Sequence, residues 1–255
     1  MAPAAGGTVN WILLRGLTRE QGHWGDFRQQ LGLRFPSHRF HCIDLPGTGT
    51  RFRDSSPSTI AGIRQRVQDY AAHIPGPVGL LGLSMGGMVA LDWAQADPGR
   101  IGSLVLINTS SGFSAPWRRM RPMAFGQALG MALRQDVEGR ERGILQLTSN
   151  RPIGQALEAS WLLVQRRRPV TRRTALAQIR AAAAYQPQPD APAANGLLLA
   201  SLGDRIVHWH CSRALANRWQ WPLRIHPDAG HDLPLDAPDW VMQQLDSASF
   251  AAGGG

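Results

Sequence analysis

The chain has no lysine: all 27 of its basic side chains are arginine, set against 18 Asp and Glu. Combined with abundant alanine, that absence reads as a GC-rich coding bias rather than selection for guanidinium chemistry. Phosphate-cradling glycine loops are missing too. Neither G-x-x-x-x-G-K-[ST] nor G-x-G-x-x-G occurs, so no nucleotide cofactor is implied. Cysteine is scarce, with Cys42 in the strand-like Phe40-His41-Cys42-Ile43 and Cys211 in a helix-like stretch. Two such thiols make no disulfide framework and no metal-ligand spacing, which argues for a reducing compartment. No run approaches the 18 or more apolar residues of a membrane span. The opening Met1 to Gly7 has no basic segment before its apolar stretch, and Trp11 to Leu14 is too short for a signal peptide's apolar region. Together these absences predict a cytoplasmic protein without a cofactor or metal.

What is present is a core of ordinary size. A chain of 255 residues that is 43% hydrophobic can bury one large domain. Strand-like and helix-like patterns alternate up to about Asn108, as in a parallel sheet with crossover helices. From Phe113 to Tyr185 the alternation gives way to helical patterns, with helices expected over Met123–Leu133, Gly154–Gln165 and Thr171–Tyr185. The Pro-rich Gln186–Pro192 closes that stretch before the next strand. The expected organisation is a core of residues 1–112 and 186–255 with a helical cap inserted at 113–185. Such an insertion covers the carboxyl ends of the strands, where ligands bind in open α/β sheets. The terminal Gly253–Gly255 predicts a disordered end.

The chemistry concentrates in three places. Gly82-Leu83-Ser84-Met85-Gly86 directly follows the apolar run Val78–Leu81 and precedes a helical pattern that stops before Pro98. Read as G-x-S-x-G between strand and helix, it puts Ser84 on a sharp turn as the candidate nucleophile. A serine hydroxyl is a weak nucleophile at neutral pH and needs a base to take its proton. His231, in Ala229-Gly230-His231-Asp232, is the candidate base, whereas His208, His210 and His226 lack a matching strand-tip context. Asp204 ends the strand-like Leu197–Leu202 and can fix the histidine tautomer. Asp228, Asp232 and Asp236 are nearer to His231 in sequence, but a triad acid normally arrives from another strand end, which favours Asp204. Two backbone N–H groups are expected to form an oxyanion hole. One belongs to Met85 after the nucleophile, the other to Leu17 in the Arg15-Gly16-Leu17 loop after the first strand.

On these residues the chain resembles the α/β-hydrolases, and within them the small carboxylesterases that include the pimeloyl-acyl-carrier-protein methyl ester esterases. The matching pieces are Leu14-Arg15-Gly16-Leu17 with Trp24, Ile43–Gly49, Gly82–Gly87, Leu104–Asn108, Gly203-Asp204 and Gly230-His231. The resemblance implies an α/β-hydrolase fold with nucleophile Ser84, acid Asp204, base His231 and oxyanion donors Leu17 and Met85. It implies hydrolysis of a small-molecule ester or acyl-thioester. C–C bond hydrolysis, lactone opening, perhydrolysis and non-catalytic binding remain open on the same fold. One departure is visible: the family usually has His-Gly where this chain has Arg15-Gly16.

Charge is unevenly spread. Between Phe113 and Tyr185 stand 13 arginines and 4 acids, a +9 equal to the formal excess of the whole chain. The rest holds 14 of each sign. The competing readings are solvated helix faces, a docking surface for an acidic acyl carrier, and nucleic-acid or membrane binding. No nucleic-acid motif accompanies the charge, and Trp117 and Trp161 in the same stretch are expected to line an acyl pocket.

Overall fold

A computed structural model describes residues 9–134 and 136–247; the terminal glycines lie outside them. Six strands form the sheet: β1 (Val9–Leu14), β2 (His38–Cys42), β3 (Val78–Leu83), β4 (Ile101–Ile107), β5 (Asn195–Ser201) and β6 (Leu223–His226). Their order is β2-β1-β3-β4-β5-β6, and every neighbouring pair is parallel. Parallel sheets are covered on both faces, which is why β3 (VGLLGL) is buried along its whole length.

The strand alternation builds two cores. Ile12, Leu14, Leu80, Leu104, Leu106 and Leu198 face one side, packed with α2 (Ile60–Tyr70), α3 (Met85–Ala96) and α9 (His210–Trp219). Trp11, Leu13, Leu81, Val105, Ile107 and Leu199 face the other, under α1 (Phe27–Arg34) and α11 (Pro238–Ser247), which follows the short α10 (Leu233–Asp236). Each buried aliphatic side chain contributes about 1.5–3 kcal/mol, so both layers are well anchored.

Between β4 and β5 lie five helices: α4 (Pro116–Arg119), α5 (Pro122–Leu133), α6 (Val137–Thr148), α7 (Gln155–Arg167) and α8 (Arg172–Ala184). The sequence pattern singles out α5, α7 and α8. It overlooks α6, whose VEGRERGILQLT carries two glycines and a charged first half in place of a full apolar stripe. Among the described residues no helix is long and apolar enough to cross a membrane.

The chain leaves β1 toward β2 on one side and returns to β3 on the other. That reversal opens a crevice at the carboxyl ends of β1 and β3. Arg15 follows β1 there and Ser84 follows β3.

Candidate active site

Ser84 has φ 55° and ψ −118°, outside the regions that an L-residue adopts easily. Its neighbours make the turn possible. A Cβ on Gly86 would meet the Arg15 carbonyl oxygen at 2.5 Å, and one on Gly82 would meet the Gly86 carbonyl oxygen at 2.5 Å. Both are far below van der Waals contact, so the glycines are dictated by how closely β1, β3 and α3 approach. The Ser84 N–H donates to the Ile107 carbonyl at 2.8 Å, tying the turn to β4. Backbone strain of this kind costs about 1–3 kcal/mol and survives only where the surroundings enforce it.

The β1 loop lies against this turn: a Cβ on Gly16 would sit 3.2 Å from the Ser84 Cβ. Met85 is the first residue of α3 and is buried. Among the described residues, neither the Leu17 nor the Met85 N–H donates to a protein acceptor. Two backbone donors thus stand uncommitted, one directly after Ser84 at a helix N-terminus and one directly after Gly16 in the loop that touches the Ser84 turn.

His231 and Asp204 come together from separate loops beyond β6 and β5. His231 Nδ1 is 2.7 Å from Asp204 Oδ2, and both side chains are buried. The second oxygen, Oδ1, accepts from the N–H groups of Ile206 at 2.7 Å and Val207 at 3.0 Å, which fixes the carboxylate plane. Burial pulls the imidazole toward its neutral form. The Asp204 charge and hydrogen bond, helped by the Asp232 charge, outweigh burial and the nearby Arg15, and the His231 pKa is raised above its ordinary value.

The three competing carboxylates have other work. Asp232 accepts from Arg15 at 3.1 and 2.5 Å. Asp236 accepts from Ser149 Oγ at 2.5 Å, Asn150 N at 2.8 Å and Gly230 N at 2.6 Å. Asp228 is exposed and lies 3.2 Å from His226 Nδ1. Neither thiol is activated: burial raises both, Cys42 to about 11.

Sequence reasoning missed the residues that hold these loops. Asn108, at φ 46° just beyond β4, donates through Nδ2 to the His231 carbonyl at 2.8 Å, while its Oδ1 accepts from Ser201 N at 3.1 Å. Asn150 donates to the carbonyls of Gly203 at 2.9 Å and Asp228 at 2.8 Å. Arg19 forms a buried ion pair with Glu141 of α6 at 2.6 and 3.3 Å. Gln178 of α8 accepts from Thr18 N at 2.8 Å. An asparagine or glutamine has no pattern that marks such a task, and both ion pairs join residues over 120 positions apart.

Of the two tryptophans, Trp117 is 65% exposed on α4, whereas Trp161 is buried edge-on against His23 and under the Arg19 guanidinium. A separate cavity of about 870 Å³ lies beside α5 and α6, lined in part by Gln127, Arg134, Gln146, Asn150, Arg151 and Arg205. Its lining contains none of Ser84, Asp204 and His231.

This geometry has a counterpart among known proteins: residues 11–244 match the family model described as the alpha/beta hydrolase family. The chain belongs to the alpha/beta hydrolase family. A pimeloyl-[acyl-carrier protein] methyl ester esterase from Chromobacterium violaceum is 29% identical over 242 residues, covering 93% of this chain and 82% of that relative. BpoC from Mycobacterium tuberculosis H37Rv superposes with a TM-score of 0.77 at 17% identity, covering 98% and 95% of the two chains. A thermophilic esterase from Thermogutta terrifontis does so with a TM-score of 0.72 at 21% identity, covering 98% and 92%. The two structural likenesses speak for the alpha/beta hydrolase fold alone.

Proposed function

We propose that this alpha/beta hydrolase is a serine hydrolase that cleaves a carboxylic ester or thioester by acyl transfer to water. The observation that carries the reading is the buried His231–Asp204 contact of 2.7 Å beyond β6 and β5, at the same carboxyl edge of the parallel sheet as the positive-φ Ser84 turn after β3. In this reading Ser84 Oγ attacks the acyl carbon while His231 Nε2 takes the hydroxyl proton. The carbonyl oxygen becomes an oxyanion held by the Leu17 and Met85 N–H groups. Collapse of the tetrahedral species expels the alcohol or thiol, which leaves with the proton held on His231. Water then repeats the sequence on the acyl-enzyme and frees the carboxylic acid and Ser84. Asp204 holds the Nδ1–H throughout, so that Nε2 faces the serine.

The substrate reading is an acyl group on an acidic carrier. The acyl-carrier esterase named among the relatives supports it, as does the +9 of residues 113–185. On that surface Arg118, Arg166, Arg167, Arg172, Arg173 and Arg180 are exposed. Arg119 and Arg168 are instead engaged, by the carbonyls of Ala182 and Ala183 and by Glu20 respectively. Trp117, 65% exposed and next to Arg118 on α4, offers a surface for an acyl chain, whereas Trp161 is buried against His23 and Arg19 of the β1 loop.

The test is labelling by a fluorophosphonate probe, which reacts quickly only with an activated serine. The expected result is one label per chain on Ser84, lost in Ser84→Ala. Absence of labelling in a folded, unmodified chain would overturn the reading. Graded p-nitrophenyl and acyl-carrier esters then define chain length and carrier.

A further inference from the structure

The residue that opens the β1 loop is also where the chain buries a charge. Arg15 is the first residue after β1 and is 3% exposed. Its guanidinium stacks 4.7 Å above the Trp24 ring and reaches the Asp232 carboxylate with two nitrogens, at 3.1 and 2.5 Å. Asp232 directly follows His231, is 2% exposed, and is pinned by its own N–H to the Thr148 carbonyl at 2.9 Å. Removing two charges from water costs several kcal/mol per ion, and fold stability alone is poorly served by such a pair. Its two ends sit on the loops that matter: Leu17 is two residues beyond Arg15, and His231 adjoins Asp232.

We propose that the Arg15–Asp232 ion pair is a positioning device of this site, locking the β1 loop to the His231 loop and balancing the charge that faces the imidazole. The proposal rests on the serine hydrolase reading above. Three charged groups face His231: the carboxylates of Asp204 and Asp232 and the guanidinium of Arg15. With the pair intact, Asp232 and Arg15 act on the imidazole in opposite directions, and Asp204 does most to outweigh burial. Remove the guanidinium, and two carboxylates favour the imidazolium, so the base stays protonated to higher pH. Remove the Asp232 charge, and the uncompensated guanidinium disfavours the imidazolium. The two substitutions therefore act on His231 with opposite signs, which a purely structural pair would not do.

The experiment compares Arg15→Gln, Asp232→Asn and the double variant with the unmodified chain. NMR titration of the His231 imidazole is read beside pH profiles of kcat and kcat/KM on a p-nitrophenyl ester. In Arg15→Gln the His231 midpoint and the acid limb should rise by about one pH unit; in Asp232→Asn they should fall by about as much. In both, kcat should drop about ten- to a hundredfold with KM nearly unchanged, because displaced reacting groups cost turnover. The double variant should return the midpoint to within about half a unit of the original while kcat stays low. If a single variant does not fold, the double variant and the other single variant decide. Midpoints that do not move, or move the same way in both single variants, would overturn the charge-balancing role. Full kcat in the double variant would overturn the locking role, and a double variant that cannot fold would assign the pair to folding instead. Failure of the underlying reading looks different: Ser84 would resist the fluorophosphonate in the unmodified chain, while the imidazole titrations would still report.

Discussion

The sheet with its flanking helices and the helical insertion are built on opposite electrostatic plans. The first balances fourteen arginines with fourteen acids, whereas the insertion sets thirteen arginines against four acids and leaves most of them in solvent. Two ion pairs four residues apart on the β1 loop repeat the contrast at close range. Arg15 reaches inward to Asp232 beside His231, and Arg19 reaches outward to Glu141 on α6. The proposed function puts chemistry in the balanced region and encounter with a charged substrate in the unbalanced one, and the β1 loop is bonded to both.

The sharpest way to break that division is within the sheet region. Ser84→Ala should reduce ester turnover on the order of 10⁶-fold with folding intact, checked by p-nitrophenyl ester hydrolysis and circular dichroism. Asp204→Asn should cost about 10⁴-fold, because the histidine loses the acceptor that sets its tautomer. Full activity in Asp204→Asn, with loss on changing Asp232 or Asp236, would move the acid to one of those positions. At the β1 loop, Glu141→Gln leaves the Arg19 charge buried and unpaired. An unfolding free energy lower by about 3–5 kcal/mol is expected in urea titration. An unchanged midpoint would mean that the insertion does not brace the loop.

Two smaller effects sharpen the contrast. The His231 imidazole is held above its ordinary value, and a general base works only when neutral. The rate should therefore climb as pH rises through a midpoint above 6.5, the usual imidazole value; an acid limb centred below it would contradict the geometry. On the insertion, replacing Arg166 and Arg167 by Gln should lower kcat/KM for an acyl-carrier ester about tenfold at low salt, and the loss should fade as the Debye length contracts to about 10 Å at 0.1 M. A small neutral ester should be hydrolysed at the original rate. Equal losses on both substrates would indicate a damaged insertion. No loss on either would leave these arginines as solvated helix faces.

Much of the fold is legible in the chain because parallel strands buried on both faces read as unbroken apolar runs, as at Val78–Leu83 and Asn195–Ser201. Ser84, Asp204 and His231 are legible for a different reason: Asp204 and His231 each directly follow a glycine, and Ser84 stands two residues from both Gly82 and Gly86, where backbones crowd. The supports are not. Asn108, Asn150 and Gln178 act by side-chain amide hydrogen bonds that leave no periodic trace, and Asp236 does its work for residues 86 and 87 positions away. Arg15 is visible as a departure from family habit, but its partner is 217 positions downstream, so only the folded chain pairs them. Helix α6 shows no full apolar stripe in the sequence, because contacts of Glu141 and of the residues just past Thr148 stand in for one.

Those contacts give α6 a double allegiance that bears on engineering. By position it belongs to the insertion; by hydrogen bonding it belongs to the β1 loop, through Glu141, and to the His231 loop, through Thr148, Ser149 and Asn150. A chimera that exchanges residues 113–185 for the insertion of a relative would carry off both braces with the specificity surface. Splicing after Asn150 instead would leave α6 with its host and transfer only α7 and α8. The seam for recombining the insertion therefore runs after Asn150, provided that the incoming helices keep Trp161 and Gln178, which also touch the β1 loop.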